Sequence, residues 1–201
     1  ESVAIYTEKQ LAELKKLTKD QKANMPLYGL TIGLKDLFAV EGLRTTAGSK
    51  ILEDFITPYD SHVWETLKSK GILLGGKLAM DEFAMGSFTN TSGFGKVSIP
   101  DFPERSAGGS SGGSGSAIAA DLFDITVGSD TGGSVRLPAS FCSVVGYKPS
   151  YGAFSRYGMI SYASSLDQAG FFTKDLEDLS YLMQSKISTK DKRDTTSIGL
   201  G

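Results

Sequence analysis

Between Gly108 and Ser116 the chain reads GGSSGGSGS, and the segments on either side, residues 117–127 and 141–145, are largely apolar. A run of this composition is either a flexible linker or a place where backbone passes close to other atoms. A linker joins polar, separable segments. Here the flanks read as buried, so the glycines are expected to serve tight turns and close approach within a core. Residues 117–123 read as a short helix and 125–127 as a strand; a second loop of the same kind, GSDTGGSVR, then runs from Gly128 to Arg136. Both loops read as functional elements and not as spacers.

The remaining patterning gives them a frame. Leu11, Leu14 and Leu17 recur among charges in residues 8–23, the spacing of an amphipathic surface helix. Residues 28–40 read as a strand in which Leu30, Ile32 and Leu34 alternate with Thr31, Gly33 and Lys35. This register puts Lys35 at the strand's end, opposite the apolar set, where the default for a lysine is a solvated surface position. Asp60 can cap a helix through Val63, Trp64 and Leu67, and Gly71 can end it. A buried strand over 72–77 follows, so the order strand–helix–strand predicts an α/β fold with at least partly parallel sheet. Residues 81–87 read as a short helical turn and 88–102 as a polar loop. Residues 154–173 are expected to pack on the sheet, and Leu176, Leu179 and Leu182 mark a helix turned to the core. Glu1 and Gly201, the latter after the polar stretch 186–196, both read as cut edges. The expectation is therefore a single domain over 1–201, truncated at both ends.

Composition narrows the chemistry. A net charge of −2 leaves no electrostatic footprint for nucleic acid or an anionic membrane, and no apolar run approaches the ~18–20 residues of a membrane helix. Cys142 is the one cysteine and His62 the one histidine, which leaves neither a disulfide framework, nor a zinc constellation, nor a Cys–His pair. His62 opens an amphipathic helix and reads as a helix-start residue. Residues 109–113 fit the nucleophile elbow G-x-S-x-G, but that fold needs a histidine after the serine in chain order and none follows here, so the match reads as accidental unless chain beyond this sequence supplies the base. The glycine-rich run also lacks the Gly-Lys-Ser/Thr ending of a phosphate loop.

Serine with lysine remains. A lysine takes a proton from serine only when neutral, so its pKa has to fall through desolvation or nearby positive charge. Lys35 fits if it lies in an apolar, glycine-rich pocket, and activity is then expected to fall on the acid side. Ser110 can relay the proton between Lys35 and Ser134. The small residues Thr131, Gly132, Gly133 and Ser134 leave backbone N–H groups free to converge, a nest able to stabilise an oxyanion by ~3–4 kcal/mol per donor.

At these residues the chain resembles the amidase signature family, whose signature is followed almost throughout from Gly108 to Gly152. Ser110 and Ser134 stand 24 residues apart (134 − 110), and Lys35 and Ser110 stand 75 apart (110 − 35), as in that family's Lys–cis-Ser–Ser triad. The resemblance implies a central mixed β-sheet flanked by α-helices, with only part of the full domain present. It implies Ser134 as the acylated nucleophile, Ser110 as the relay behind a cis peptide bond, and Lys35 as the base. The N–H groups of Thr131, Gly132, Gly133 and Ser134 would form the oxyanion hole, and Ser111, Asp130 and Arg136 would brace the loops. No metal or cofactor is implied.

A narrower resemblance, in residues 45–55, 80–87 and 155–170, is to the glutaminase subunits (the A-subunits) of glutamyl-tRNA(Gln) amidotransferases. It implies hydrolysis of glutamine within a heterotrimer that also holds B- and C-subunits, in which the partner uses ATP and magnesium and makes most tRNA contacts. Met85 and Gly86 lie where that family's glutamine pocket begins. Two departures stand out: Asp121, Leu122, Phe123 and Asp124 where the family has small residues, and Arg136-Leu137-Pro138 where it commonly has Arg-Gln-Pro. The alternatives are a stand-alone amidase acting on small or fatty amides and a non-catalytic scaffold, which would have lost a triad member. The expected compartment is a bacterial cytoplasm, or alternatively a mitochondrial matrix.

Overall fold

In the computed structural model, which describes residues 2–185 and 187, the glycine-rich segments lie at one end of a mixed sheet. In chain order, α1 (Val3–Lys16) and α2 (Lys19–Ala23) lead into β1 (Thr31–Lys35), and α3 (His62–Ser69) leads into β2 (Leu73–Leu78). A small hairpin of β3 (Ser98–Ile99) and β4 (Phe102–Ser106) precedes α4 (Gly112–Ala119) and β5 (Ile125–Asp130). Then come α5 (Arg136–Phe141), β6 (Val145–Tyr147), β7 (Gln168–Thr173) and α6 (Leu176–Gln184). The main sheet has the order β2-β1-β5-β7-β6. Its first three strands are parallel, and β7 runs antiparallel to both of its neighbours.

The sheet is covered on both faces. Ile32, Leu34, Val127 and Phe171 face one core with Trp64 and Leu67 of α3, whereas Phe172 faces a second, smaller core with Ile118, Val135 and Ala139. Adjacent residues on β7 thus serve opposite layers, as the two-residue period of a strand requires. The β2 edge is closed by α1. Gln10 Nε2 donates to Ile72 O at 2.6 Å, Leu74 N donates to Gln10 Oε1 at 3.1 Å, and the Thr7 hydroxyl donates to Leu74 O. These side chains occupy ladder positions that an exposed edge would offer to another strand.

Several local expectations are corrected. The helix expected over 8–23 starts earlier and breaks after Leu17, because Thr18 forms a capping box with Gln21 and starts α2. Of its three leucines only Leu14 is buried. The strand expected over 28–40 is confined to β1: Gly29 precedes it at φ 85°, and Phe38 N turns back to Lys35 O at 3.0 Å. Ser61 and not Asp60 is the N-cap of α3; the Asp60 carboxylate instead accepts from Glu41 N and pairs with Lys68. Gly71 does follow the end of that helix, at φ 89°. The polar loop 88–102 contains β3 and the start of β4, whose short, largely polar strands carry no burial pattern to read.

The helix expected over 117–123 begins at Gly112, inside the glycine–serine run. Gly112, Gly113, Ser114 and Gly115 are buried there, and a Cβ on Gly113 would lie 2.4 Å from Ala79 O. Close packing, which single-residue helix propensity does not register, decides this boundary. β5 continues through Asp130, so Gly128, Ser129 and Asp130 belong to a buried strand and not to a loop. Segment 141–145 is less buried than its composition implies: Phe141 is exposed and only Cys142 is fully buried. Residues 168–173 of the segment expected to pack on the sheet form one of its strands, β7. In α6 Leu182 is buried while Leu176 is exposed. The reading of both chain ends, and of 186–196 apart from Ile187, lies outside the described residues.

Candidate active site

Lys35 is the last residue of β1, and its side chain is fully buried at 0% exposure. Register explains where it points. Leu34 pairs with Val127 of β5, so Lys35 extends beside the end of that strand, where Ser129 lies. From the next element, the start of α4 brings Ser110 and Ser111 alongside. Lys35 Nζ lies 2.7 Å from Ser110 Oγ, 2.9 Å from Ser111 Oγ and 2.8 Å from Ser129 Oγ. The surface default for Lys35 is therefore overturned.

Burial lowers the Lys35 pKa from 10.5 to about 7, against the pull of the Asp81, Asp130 and Asp167 charges, which raise it. The shift follows from replacing water by hydroxyls with no carboxylate in contact. A neutral amine has two N–H donors and one lone pair, so with three hydroxyl partners it accepts from one of them. The Ser111 hydroxyl is committed as donor to Ser129 O at 3.2 Å, so it accepts from Lys35. The proton that Lys35 can take therefore comes from Ser110 or Ser129. Ser110 follows a cis peptide bond from Gly109.

Ser134 lies on the loop between β5 and α5, partly exposed. Its Oγ takes no hydrogen bond among the described residues, so the structure brings Lys35 and Ser110 together directly and leaves Ser134 without a bond to either. The loop is held by Asp130, which is fully buried. Its carboxylate accepts from Gly133 N at 2.9 Å, Val135 N at 3.0 Å and Arg136 N at 3.3 Å. Arg136 adds a bidentate pair through Nε at 3.1 Å and an Nη at 2.9 Å. Burial alone would raise the Asp130 carboxyl, but the Arg136 pair and the two amides of Val135 and Arg136 outweigh it and hold it below the usual carboxylate range. Asp130 and Arg136 thus join the two ends of the loop, and Ser111 ties α4 to β5.

One expectation changes here. Gly133, at φ 132°, turns its N–H onto Asp130 and not toward a shared point with its neighbours. The N–H groups of Thr131, Gly132 and Ser134 donate to no acceptor among the described residues. Met85 is 53% exposed, and Gly86 abuts the Asp81 carboxylate so closely that a Cβ would lie 2.3 Å from its Cγ. Gly86 therefore has a packing requirement whatever else it does. His62 starts α3, its Nε2 3.4 Å from Thr66 Oγ1.

Sequence reasoning misses three residues. Ser129 completes the hydroxyl cage, and its signal is available once β1 and β5 are paired in register. Asp81, fully buried, accepts from the amides of Thr89, Asn90 and Thr91 and the Thr91 hydroxyl. Asp167, at 2% exposure, accepts from Thr131 Oγ1. Among the described residues no group of three or more His, Cys, Asp or Glu side chains is placed to hold a metal ion. No described helix is long and apolar enough to cross a membrane.

Known proteins share this arrangement of sequence and fold. The glutamyl-tRNA(Gln) amidotransferase A-subunit of Pelagibacter ubique is 54% identical over 189 residues, covering 93% of this chain and 39% of its own length. The same subunit of Methanosarcina mazei is 50% identical over 192 residues, covering 96% of this chain and 40% of its own. The chain thus spans about two fifths of the curated relatives it matches. The crystal structure of the glutamyl-tRNA(Gln) amidotransferase A-subunit from Thermotoga maritima superposes with a TM-score of 0.78 at 39% identity, over 94% of this chain and 48% of that one. Urea amidolyase of Kluyveromyces lactis gives 0.84 at 33% identity, over 92% of this chain and 11% of that one. The buried lysine, the cis-linked serine and the braced glycine loop fall within residues 1–199, which match the amidase family model over nearly the whole sequence, and the chain belongs to that family.

Proposed function

We propose that this chain is the amide-cleaving part of a glutamyl-tRNA(Gln) amidotransferase A-subunit, and that it hydrolyses the side-chain amide of glutamine. The observation that carries the reading is a desolvated lysine 2.7 Å from Ser110 Oγ, with a pKa lowered to about 7. Ser134 Oγ attacks the amide carbonyl while its proton passes through Ser110 to Lys35. The N–H groups of Thr131, Gly132 and Ser134 receive the developing oxyanion. The proton returns through Ser110 to the departing nitrogen, which leaves as ammonia. Water then hydrolyses the acyl-Ser134 ester by the same relay. Met85 and Gly86 begin the glutamine pocket, whose remainder belongs to the part of the subunit beyond this chain.

On this reading ammonia passes to the B-subunit, which activates Glu-tRNA(Gln) with ATP and magnesium and makes most of the tRNA contacts, while the C-subunit completes the complex. A cytoplasmic site of action goes with it. A stand-alone amidase would use the same three residues, so substrate decides between the two. The full-length protein with its partners is expected to release ammonia from L-glutamine and to form an acyl adduct on Ser134, and Ser134→Ala is expected to lower turnover by ~10⁶. Rapid turnover of simple amides without partners, together with inert glutamine, would sink the amidotransferase reading. An adduct that persists in Ser134→Ala would remove the nucleophile assignment.

A further inference from the structure

The loop that carries Ser134 is clamped at two ends by two different carboxylates. Asp130 takes the far end, through the amides of Gly133, Val135 and Arg136. The near end begins at Thr131, whose hydroxyl donates to Asp167 Oδ1 at 2.5 Å. Asp167 lies just before β7 and is only 2% exposed. Its other donors all come from one short segment: Ser161 Oγ at 2.9 Å, Tyr162 N at 2.9 Å and Ala163 N at 3.0 Å. One buried carboxylate therefore joins the start of the N–H nest to residues 161–163, which lie about 30 residues further along the chain.

This bond is not there to satisfy a buried hydroxyl. Thr131 is only partly buried, and a threonine hydroxyl in that position can bond water equally well. What the bond does is fix Thr131 where the backbone has no other tether, since the Thr131 and Gly132 N–H groups take no partner among the described residues. Donors aimed at a developing oxyanion act only when held in place beforehand, to about 0.5 Å, and losing one costs ~10²–10³ in turnover. A charged acceptor gives the short, directional bond that such holding needs.

We infer that Asp167 is a positioning residue for acyl transfer at Ser134: through the Thr131 hydroxyl it sets the direction of the Thr131 and Gly132 N–H groups. The inference rests on the reading of Ser134 as an acylated nucleophile. It gives residues 161–167, a segment outside both glycine loops, a defined part in the reaction.

Glutamine hydrolysis by the full-length protein in its complex tests it, with acid-quenched Ser134 adduct measured alongside. Thr131→Val removes a single hydrogen bond, and it is expected to lower kcat by about 10- to 100-fold with KM nearly unchanged. Thr131→Ser keeps the hydroxyl and is expected to restore most of the loss. Asp167→Asn is expected to lower kcat to a similar degree, and the double variant to fall no further than the worse single one. Asp167→Asn also removes one of the three carboxylate charges, with Asp81 and Asp130, that act on Lys35, so its acid limb is expected to move to lower pH while that of Thr131→Val stays in place. Should Asp167→Asn prove unstable, Thr131→Val and Thr131→Ser decide by themselves. Full kcat in Thr131→Val, or losses that multiply in the double variant, overturns the inference. A wild-type complex that forms no Ser134 adduct instead overturns the functional reading, and the inference with it.

Discussion

Lys35 on β1 is fully buried and Lys77 on β2 nearly so, its side chain 9% exposed, and their surroundings differ in one respect. Leu34 pairs with Lys77 and Lys35 with Leu78, so the two amino groups lie on opposite faces. Burial pushes the pKa of both downward. Lys77 Nζ meets the Asp36 carboxylate at 2.7 Å, with Thr45 Oγ1 and Arg44 O beside it. Lys35 Nζ meets three serine hydroxyls, and its carboxylates act from a distance. A carboxylate in contact favours the charged amine; hydroxyls can donate or accept and so serve either state. The same residue type thus pairs with a carboxylate on one face and, on the proposed reading, accepts a proton on the other.

Swapping each lysine for an apolar residue of similar length tests that division most severely. Lys35→Met is expected to lower glutamine turnover by ~10²–10⁴, the range of a lost general base. Lys77→Met is expected to leave turnover within a few-fold but to destabilise the fold by ~1–3 kcal/mol, because the partly buried Asp36 loses its charged partner and keeps only the Thr46 donors. Turnover and thermal unfolding of both variants check this; comparable loss of turnover in the two would end the distinction.

The pH profile sharpens it. Only neutral Lys35 accepts a proton, so kcat/KM is expected to fall about tenfold per unit below about pH 7. Lys77→Met should keep that midpoint. A flat profile down to pH ~5 would argue against lysine as the base.

The same shift also acts on stability. Lys35 titrates at 10.5 in the unfolded chain and at about 7 when folded, so between these values the unfolded state binds more protons. Its contribution therefore makes the fold more stable as pH rises through that window. Denaturant titrations at pH 7 and above are expected to show this rise in the wild type and its loss in Lys35→Met.

How much of this is legible in the residues varies with the range of the force involved. The strand around Ile32 and Leu34, the helix through Trp64 and Leu67, and the helix ending near Met183 follow from local periodicity, and they are present. The start of α4 escapes a local reading because Gly112 and Gly113 are poor helix formers, kept there by contacts with Thr89 and Ala79. β7 reads locally as a segment packed on the sheet, since antiparallel pairing with β5 and β6 is decided by partners distant in sequence. Within the site, Lys35, Ser110 and Asp130 are readable from motif and spacing. Ser129, Asp81 and Asp167 are not, because no motif marks them and their partners are set by how strands and loops pack.

By itself, then, this stretch of sequence offers a single histidine and a single cysteine and places serines and a lysine at the spacing of a Ser–Lys pair, because residue types set which proton transfers its own side chains can make. Only the tertiary structure decided that the Lys35 pKa falls to about 7 and that Lys77 is paired with Asp36. A pKa is set by what replaces water around the group, and that is a property of packing between strands and helices, not of neighbours in the chain.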